Sequence, residues 1–262
     1  MTKYIPYLLL CLSLSLFGGC SIKEGRIDCP CYLKIFFQKD IKGAVTLTVK
    51  GEDKAYFKRA SIIPSDYPNG YSLAVPKDRY DISCIGGQVV CQLNSNKVVV
   101  SSGKQYDKLF LWSDFNLPCT DENSSDTVNL HKQFCKLTIN LVHADTMKTY
   151  PYSLRAESSF IGVGIYSLEP VSGFFRCIPA EPSAFVRTII LPRQGNGNIT
   201  LVFTDLASGK SYPLDLASIF SKHEYDWKAI DLKDVDITID FATPTVGIVI
   251  NDWTEILMNY EI

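Results

Sequence analysis

The chain has 262 residues, of which 46% are hydrophobic and 21% charged, and its formal net charge is −2. This composition excludes an intrinsically disordered chain, because it supplies enough apolar side chains to form a core. The nearly balanced charge gives no basic field for a phosphate backbone, so we expect no nucleic-acid partner.

The first 19 residues have the three parts of a secretory signal peptide. Lys3 is the basic residue, an apolar segment runs from Ile5 to Phe17, and Gly18 and Gly19 are the small residues before the cleavage point. The apolar segment is too short for a transmembrane helix, which needs about 20 apolar residues. We therefore expect residues 1–19 to be removed.

Cys20 directly follows the two glycines. Cleavage before it would fit a bacterial lipoprotein, in which the new N-terminal cysteine carries acyl chains. We favour lipidation of Cys20; the alternative is an ordinary signal peptide that leaves Cys20 as a free or disulfide-bonded thiol. Residues 20–30 would then be a lipidated tether.

Seven cysteines remain when Cys11 and Cys20 are set aside, an odd number that leaves at least one thiol free. Some of them should form disulfides in an exported protein, but the sequence alone does not assign the pairs. The disulfide candidates are Cys29, Cys31, Cys84, Cys91, Cys119, Cys135 and Cys177.

The turn that follows Cys84 decides whether this residue can pair with Cys91. A four-residue hairpin loop over residues 86–89 places the two cysteines opposite each other, whereas a two-residue turn at Gly86-Gly87 places Cys84 opposite Val89. Both alternatives remain open from the sequence.

Cys29-Pro30-Cys31 is neither a C-x-x-C motif nor matched by a second cysteine pair. The three histidines, His131, His143 and His223, have no metal-ligand spacing such as H-E-x-x-H. We therefore expect no metal and no cofactor, and interpret the motif as a rigid start to the first strand.

From Cys31 onward, apolar and polar residues alternate with period two, which indicates half-buried strands. Leu33 and Ile35 mark the first strand, and Leu47 and Val49 the second. Helical periodicity is almost absent, apart from a turn or two at 216–222. The sequence therefore predicts an all-β chain, an antiparallel sandwich or barrel. Further strands are predicted at 56–63, 71–75, 79–85, 89–93, 97–100, 106–112, 152–156, 162–166, 174–178, 185–191, 198–204, 210–214, 237–241 and 246–250.

Residues 117–127 (LPCTDENSSDT) are polar, acidic and poor in apolar side chains, and we place a domain boundary there. The predicted domains are residues 31–124 and 125–262; a long surface loop is the alternative reading of the boundary. Beyond it, the apolar residues Leu137, Ile139 and Leu141 alternate with polar ones as in the first strand. This repeat suggests a second domain with the same arrangement of strands.

No G-x-S-x-G motif and no glycine-rich phosphate loop occurs, so we do not expect an enzyme, and a hydrolase is the third hypothesis. Aromatic residues make up 12% of the chain and would fill the core or stack sugars. A glycan-binding surface lipoprotein is therefore the alternative function. The exposed edges of a sandwich could also bind an extended strand of a partner protein.

The sequence also contains three short motifs. They are Asp28-Cys29-Pro30-Cys31 before an alternating strand, Leu130-His131-Lys132-Gln133-Phe134 at the start of the second half, and a final strand ending in Asn251-Asp252-Trp253. Together they resemble the fimbrial anchor-subunit family of Bacteroidota, part of the fimbrillin superfamily. These lipoproteins hold type V fimbriae to the outer membrane.

The resemblance implies two transthyretin-like β-sandwich domains in tandem and a lipid on Cys20 in the outer membrane, at the base of a fimbria on the cell surface. It also implies a fimbrial shaft subunit as the partner, bound by strand complementation, and no small-molecule substrate. Stalk and tip subunits of the superfamily are cleaved after an arginine, and Arg26 lies in the corresponding region. Because cleavage there would detach the protein from its lipid, we expect Arg26 to remain intact.

Overall fold

The computed structural model describes residues 29–38, 41, 43–53, 55–142, 148–240, 245–250 and 256–259. The predicted signal peptide, the predicted lipidation site Cys20, Arg26 and the Asn251-Asp252-Trp253 motif lie outside these residues. No described helix has the length and the apolar character that crossing a lipid bilayer requires.

Strands dominate the described residues, which confirms the all-β prediction. The first half contains β1 (Cys31–Phe37), β2 (Val45–Gly51), β3 (Phe57–Ile62), β4 (Tyr71–Val75), β5 (Asp78–Gly86), β6 (Gln92–Asn94), β7 (Lys97–Val99), β8 (Phe110–Cys119), β9 (Asn123–Val128) and β10 (His131–Lys132). The second half contains β11 (Phe134–Leu141), β12 (Tyr152–Gly164), β13 (Pro170–Cys177), β14 (Ala180–Ser183), β15 (Val186–Pro192), β16 (Ile199–Asp205), β17 (Ser211–Asp215), helix α1 (Ala217–Lys222), β18 (Val235–Asp240), β19 (Thr245–Ile250) and β20 (Ile256–Asn259). Helix α1 coincides with the short helix predicted at 216–222.

Two sheets form the first sandwich. A three-stranded sheet has the order β4-β1-β9, and a five-stranded sheet has the order β10-β8-β5-β2-β3. Leu33, Ile35 and Leu47 are buried between them, because the period-two pattern directs alternate side chains to the inner face. Tyr80 is fully buried in the same cluster, and its hydroxyl donates a hydrogen bond to the carbonyl of Pro76 at 2.7 Å.

The second sandwich also has two sheets, with the orders β14-β15-β11-β18-β19-β20 and β17-β16-β12-β7-β6; β13 pairs with β12 as well. Leu137 and Ile139 of β11 are buried together with Leu201 and Phe203 of β16. β12 is one strand of 13 residues where the sequence predicted two. Its pairing with β13 shifts register on both sides of Phe160, and this irregularity explains the interrupted sequence pattern.

The two sandwiches share one strand arrangement. β1 pairs antiparallel with β4 and parallel with β9, and β11 pairs antiparallel with β15 and parallel with β18. The repeated alternation in the sequence therefore reflects a repeated position in the fold. The sheets differ on the far side of the parallel strand. β18 pairs with β19, which pairs with β20, whereas β9 is the last strand of its sheet among the described residues.

Residues 117–127, where the sequence predicts a domain boundary or a long surface loop, are mostly strand. They form the end of β8 and most of β9, and Cys119 is fully buried. Asn123, Ser125 and Thr127 face solvent along β9. A strand with this composition resembles a loop in sequence because few apolar side chains mark its inner face. The predicted domain limits at residues 124 and 125 fall within β9.

Between β5 and β8 the chain crosses from the first sandwich to the second. β7 pairs with β12, where Val99 lies opposite Gly162. The N–H of Ile165 donates to the carbonyl of Asn96 at 2.8 Å. The hairpin of β6 and β7 therefore belongs to the second sandwich, although it precedes β8 and β9 in the sequence.

Because the chain crosses here, residues 86–89 form neither of the two hairpin turns considered from the sequence, and Cys84 does not lie opposite Cys91. Cys84 lies in the first buried cluster and Cys91 in the second. β5 pairs with β2 and β8, so that Leu47 and Trp112 lie opposite Cys84. Gly87 starts the crossing with a φ of +75°, and a Cβ there would lie 2.1 Å from the carbonyl oxygen of Lys108.

Candidate interaction surfaces

The described residues contain no group of three or more His, Cys, Asp or Glu side chains that could hold a metal ion. His131 lies beside Asp231, with 3.1 Å between Nδ1 and Oδ2. His223 is buried after α1, and burial lowers the pKa of its imidazole and favours the neutral ring. His143 lies outside the described residues. Neither His131 nor His223 therefore belongs to a metal-binding cluster among the described residues.

The disulfide candidates are all free thiols in the structure. Burial raises the pKa of most of these thiols, for instance that of Cys177 to about 12, so they are protonated at neutral pH. Cys31 and Cys119 lie in the same core cluster of the first sandwich, and each thiol influences the pKa of the other. Cys29 is exposed, and the remaining candidates, Cys84, Cys91, Cys135 and Cys177, are buried.

Most of the large aromatic side chains fill the two cores, as Tyr80, Phe175 and Phe203 do. Three exposed phenylalanines each carry a basic side chain over the ring. Lys34 lies 5.2 Å from the centroid of Phe36, and arginines lie 5.4 Å and 5.3 Å from the centroids of Phe57 and Phe174. These cation–π contacts cover one face of each ring, which is then not available to a sugar.

The outer face of the β4-β1-β9 sheet is flat and has two aromatic residues. Tyr32 is 56% exposed and Phe36 is 37% exposed, and they project from the same face of β1, about 13 Å apart along the strand. The neighbouring strands present only small or polar side chains on this face: Ser72, Ala74, Asn123, Ser125 and Thr127. We call this surface the β1 face.

Several outer strands carry features that discourage pairing with another strand. β3 has Lys58 and Arg59, β14 has Pro182, and β17 has Pro213. Charged residues and proline are the usual protection of a sheet edge, because both oppose the addition of a further strand. β20, with the sequence ILMN, has neither a charged residue nor a proline.

A carboxyl group that points inward protects β9 from pairing with a further strand. Asp126 is partly buried, and Asp114 of β8 is its neighbour. Burial, together with the carboxyl of Asp114, raises the pKa of Asp126 to about 6. An inward-facing acidic residue at an edge strand opposes strand addition, because the added strand would bury the charge further.

A cleft of about 330 Å³ lies in the second sandwich beside Arg193, Gln194 and Trp227. The Arg193 guanidinium is 3% exposed and donates to Oε1 of Gln133 and to the carbonyls of Trp227, Ala229 and Ile230. Because these donors bind groups of the protein itself, Arg193 has a structural role in holding the segment that follows α1. No local sequence pattern indicates this contact, because it joins residues that are far apart in the chain.

No protein-family model matches this sequence, and no curated protein matches it significantly. Solved structures do match. They include a proposed polysaccharide-binding protein from Bacteroides thetaiotaomicron (14% identity, TM-score 0.63, covering 88% of this chain and 98% of that one). A proposed adhesin from Bacteroides ovatus has 13% identity and a TM-score of 0.62, covering 88% and 96%.

The fimbrial anchor protein Mfa2 from Porphyromonas gingivalis also matches, with 14% identity and a TM-score of 0.58 over 89% of this chain and all of that one. At such identity the likeness shows the fold. The resemblance to fimbrial anchor subunits that the sequence suggested is therefore confirmed in the architecture.

Proposed function

We propose that the protein is an outer-membrane lipoprotein that anchors and terminates a type V fimbria at the cell surface. In this proposal a lipid on Cys20 holds it in the membrane, and a fimbrial shaft subunit binds it by β-strand complementation. It has no catalytic role. The fold similarity to Mfa2 supports the proposal, as does the signal peptide that ends directly before Cys20.

The observation that carries the proposal is the difference between the two copies of the shared strand plan. Among the described strands, β9 is the last of its sheet in the first sandwich, whereas in the second sandwich the equivalent strand, β18, pairs with β19, which in turn pairs with β20. This pair is therefore an addition to the common plan, close to the C-terminus. We assign it the role of binding the shaft subunit.

The chemistry of β20 fits this role. On one side its backbone pairs with β19, where Leu257 lies opposite Gly247. The other side is the outer edge of the sheet among the described strands, and it can offer backbone N–H and C=O groups to an incoming strand. Main-chain hydrogen bonds of this kind supply affinity in strand addition, and alternate side chains supply specificity.

Proline substitutions in β20 test the assignment. Successive residues of a strand direct their N–H groups to opposite sides, so one of Leu257→Pro and Met258→Pro removes a donor from the free edge and the other removes one from the ladder with β19. We expect immobilised full-length protein to bind the purified shaft subunit about tenfold or more weakly in the free-edge variant.

Lys58→Pro in β3 is the matched control, because it alters the edge of another sheet. Circular dichroism and thermal unfolding verify that each variant is folded. Unchanged binding by both β20 variants, with loss of binding in the Lys58 variant, would place the interface at the first sandwich instead.

The tether adds a mechanical element to the proposal. Residues 20–30 can span at most about 40 Å when fully extended, and the first described strand, β1, begins at Cys31. A load on the fimbria would thus reach the membrane through β1 and the tether. Arg26 has to remain intact for this, and a mature surface protein that begins at Ile27 would contradict the anchor proposal.

A glycan-binding surface lipoprotein is the second candidate function, and the β1 face favours it. Tyr32 has an exposed ring opposite Asn123 and close to the serines of the neighbouring strands, a combination suited to stacking and hydrogen bonding with a sugar. Affinity electrophoresis in gels that contain bacterial polysaccharides tests this function. Retardation that Tyr32→Ala abolishes and Phe57→Ala preserves would support it.

A further inference from the structure

We propose that Cys31 and Cys119 form a disulfide in the exported protein, which ties the first residue of β1 to the last residue of β8. The structure shows the thiol form of this pair. Both side chains are completely buried in the same core cluster of the first sandwich, and each thiol influences the pKa of the other.

The strand register also brings these two cysteines together. Cys31 lies opposite Val75, the last residue of β4, and Cys119 lies opposite Asp78, the first residue of β5. Only Pro76 and Lys77 separate β4 from β5, and these strands belong to different sheets. Cys31 and Cys119 therefore lie on either side of the corner at which the chain passes from one sheet to the other.

A second connection fixes the same corner. The N–H of Tyr32 donates to the carbonyl of Glu122 at 2.8 Å, and Tyr32 lies opposite Asn123 at the start of β9. The segment that links Cys119 to β9 therefore runs directly beside the start of β1. Two short connections, one on each side, therefore hold Cys31 and Cys119 close to each other.

The remaining described thiols fit a disulfide less well. Cys84 and Cys119 are in the same buried cluster, but Cys84 lies deeper along β5, opposite Trp112 of β8. Cys91 and Cys177 are in the core of the second sandwich. Cys29 is exposed and lies two residues before Cys31 in the chain. Among the described thiols, it is the alternative disulfide partner for Cys119.

The reaction needs an oxidant, for which we name a disulfide-bearing oxidoreductase or small-molecule disulfide. One thiolate attacks the oxidant's disulfide, and the second thiolate displaces the oxidant from the mixed disulfide. Two S–H bonds are thereby replaced by one S–S bond, and the oxidant is reduced to two thiols. Burial raises the pKa of both thiols, that of Cys119 to about 12, so the folded protein reacts slowly and the bond forms before β1 docks.

The disulfide would strengthen the attachment of β1 against a mechanical pull. A pull on the tether acts first on Cys31, and without a crosslink the strand can peel away from that end. A bond to Cys119 transfers the load to the five-stranded sheet. This consequence depends on the proposed anchoring function, whereas the bond itself does not.

Peptide mapping of the full-length protein, exported by its own signal peptide and purified under non-reducing conditions, tests the proposal. Thiols are first alkylated in denaturant, and the protein is then digested. We expect a peptide pair joined through Cys31 and Cys119 that separates on reduction. Complete alkylation of both cysteines in the unreduced wild-type protein would overturn the proposal, and so would a peptide pair that joins Cys29 to Cys119.

Serine variants provide the controls. The linked peptide pair should disappear in Cys31→Ser and in Cys119→Ser but persist in Cys84→Ser, which alters a buried thiol of the same core. Because a variant can fail to fold, the wild-type map decides the question. Reductant should lower the urea midpoint of the wild-type protein and of Cys84→Ser but leave that of Cys31→Ser unchanged; an equal shift in all three would contradict the proposal.

Discussion

The carboxylate of Asp107 accepts a hydrogen bond from the backbone N–H of Cys91 at 2.7 Å. It also accepts bonds from the N–H groups of Val89 and Val90, each at 2.8 Å. Asp107 is 7% exposed, so these are largely buried, charge-assisted hydrogen bonds. One side chain thus holds the segment through which the chain crosses from the first sandwich to the second.

Asp107→Ala removes the acceptor and leaves three backbone N–H groups without their partner. We expect the free energy of unfolding to fall by about 3 kcal/mol, because hydrogen bonds to a charged group contribute strongly when buried. Urea unfolding followed by circular dichroism measures the loss. Asp205→Ala is the matched control: that carboxylate also accepts from two backbone N–H groups but is exposed, so we expect a clearly smaller loss.

The acidic pair on β9 and β8 predicts a pH dependence. The pKa of Asp126 is raised to about 6 in the folded protein, above its value in the unfolded chain, so the folded state binds a proton more readily. Stability should therefore rise as the pH falls from about 7 to about 4, and the gain should be complete below the unfolded pKa. Urea midpoints measured between pH 5 and pH 8 show the slope.

Asp126→Asn should remove most of this slope and stabilise the protein at pH 8, by about 1 kcal/mol after allowance for partial solvation. Asp121→Asn, an exposed site in the preceding turn, should leave the slope unchanged. An unaltered slope in Asp126→Asn would show that another group titrates in this range.

Arg193→Met tests the structural role of the buried guanidinium. The substitution leaves Gln133 and three backbone carbonyls without their donor, and we expect a loss of about 3 kcal/mol in the free energy of unfolding. Arg155→Met is the control, because Arg155 pairs with Glu157 at a partly exposed position and should contribute less than about 1 kcal/mol. Equal losses in both variants would contradict the assigned role.

Cys20→Ala tests the proposed lipid. The substitution removes the thiol that would carry the lipid, so the protein should leave the membrane fraction and lose labelling by a fatty-acid analogue. Stable attachment needs more than one acyl chain, and the variant lacks the thiol at this site. We therefore expect nearly complete release. Persistent labelling and membrane association would show that Cys20 is not the anchor.

Local alternation was sufficient to predict much of the fold. Leu33, Ile35, Leu47 and Ile139 lie on inner faces as their spacing indicates. These strands could be found because each buries one side, and a period of two identifies such a strand without knowledge of its partners.

Features that depend on distant partners could not be predicted in this way. Neither hairpin turn considered for residues 86–89 occurs, because the chain leaves its sheet at Gly87, and nothing local distinguishes a crossing from a hairpin. A domain boundary was predicted where β9 lies, because few apolar residues mark this strand and its partner, β1, is parallel and remote in sequence. The proximity of Cys31 to Cys119 likewise arises only when the two sheets come together.

In the proposed function, this protein holds a fimbria on the cell. The most direct measurement is the distribution of the shaft subunit between cells and culture medium when the gene is deleted, together with the length of the fimbriae in electron micrographs. We predict that shaft subunit moves to the medium and that the wild-type gene, but not Cys20→Ala, restores cell-bound fimbriae. Fimbriae of unchanged length that remain on the deletion strain would contradict the account.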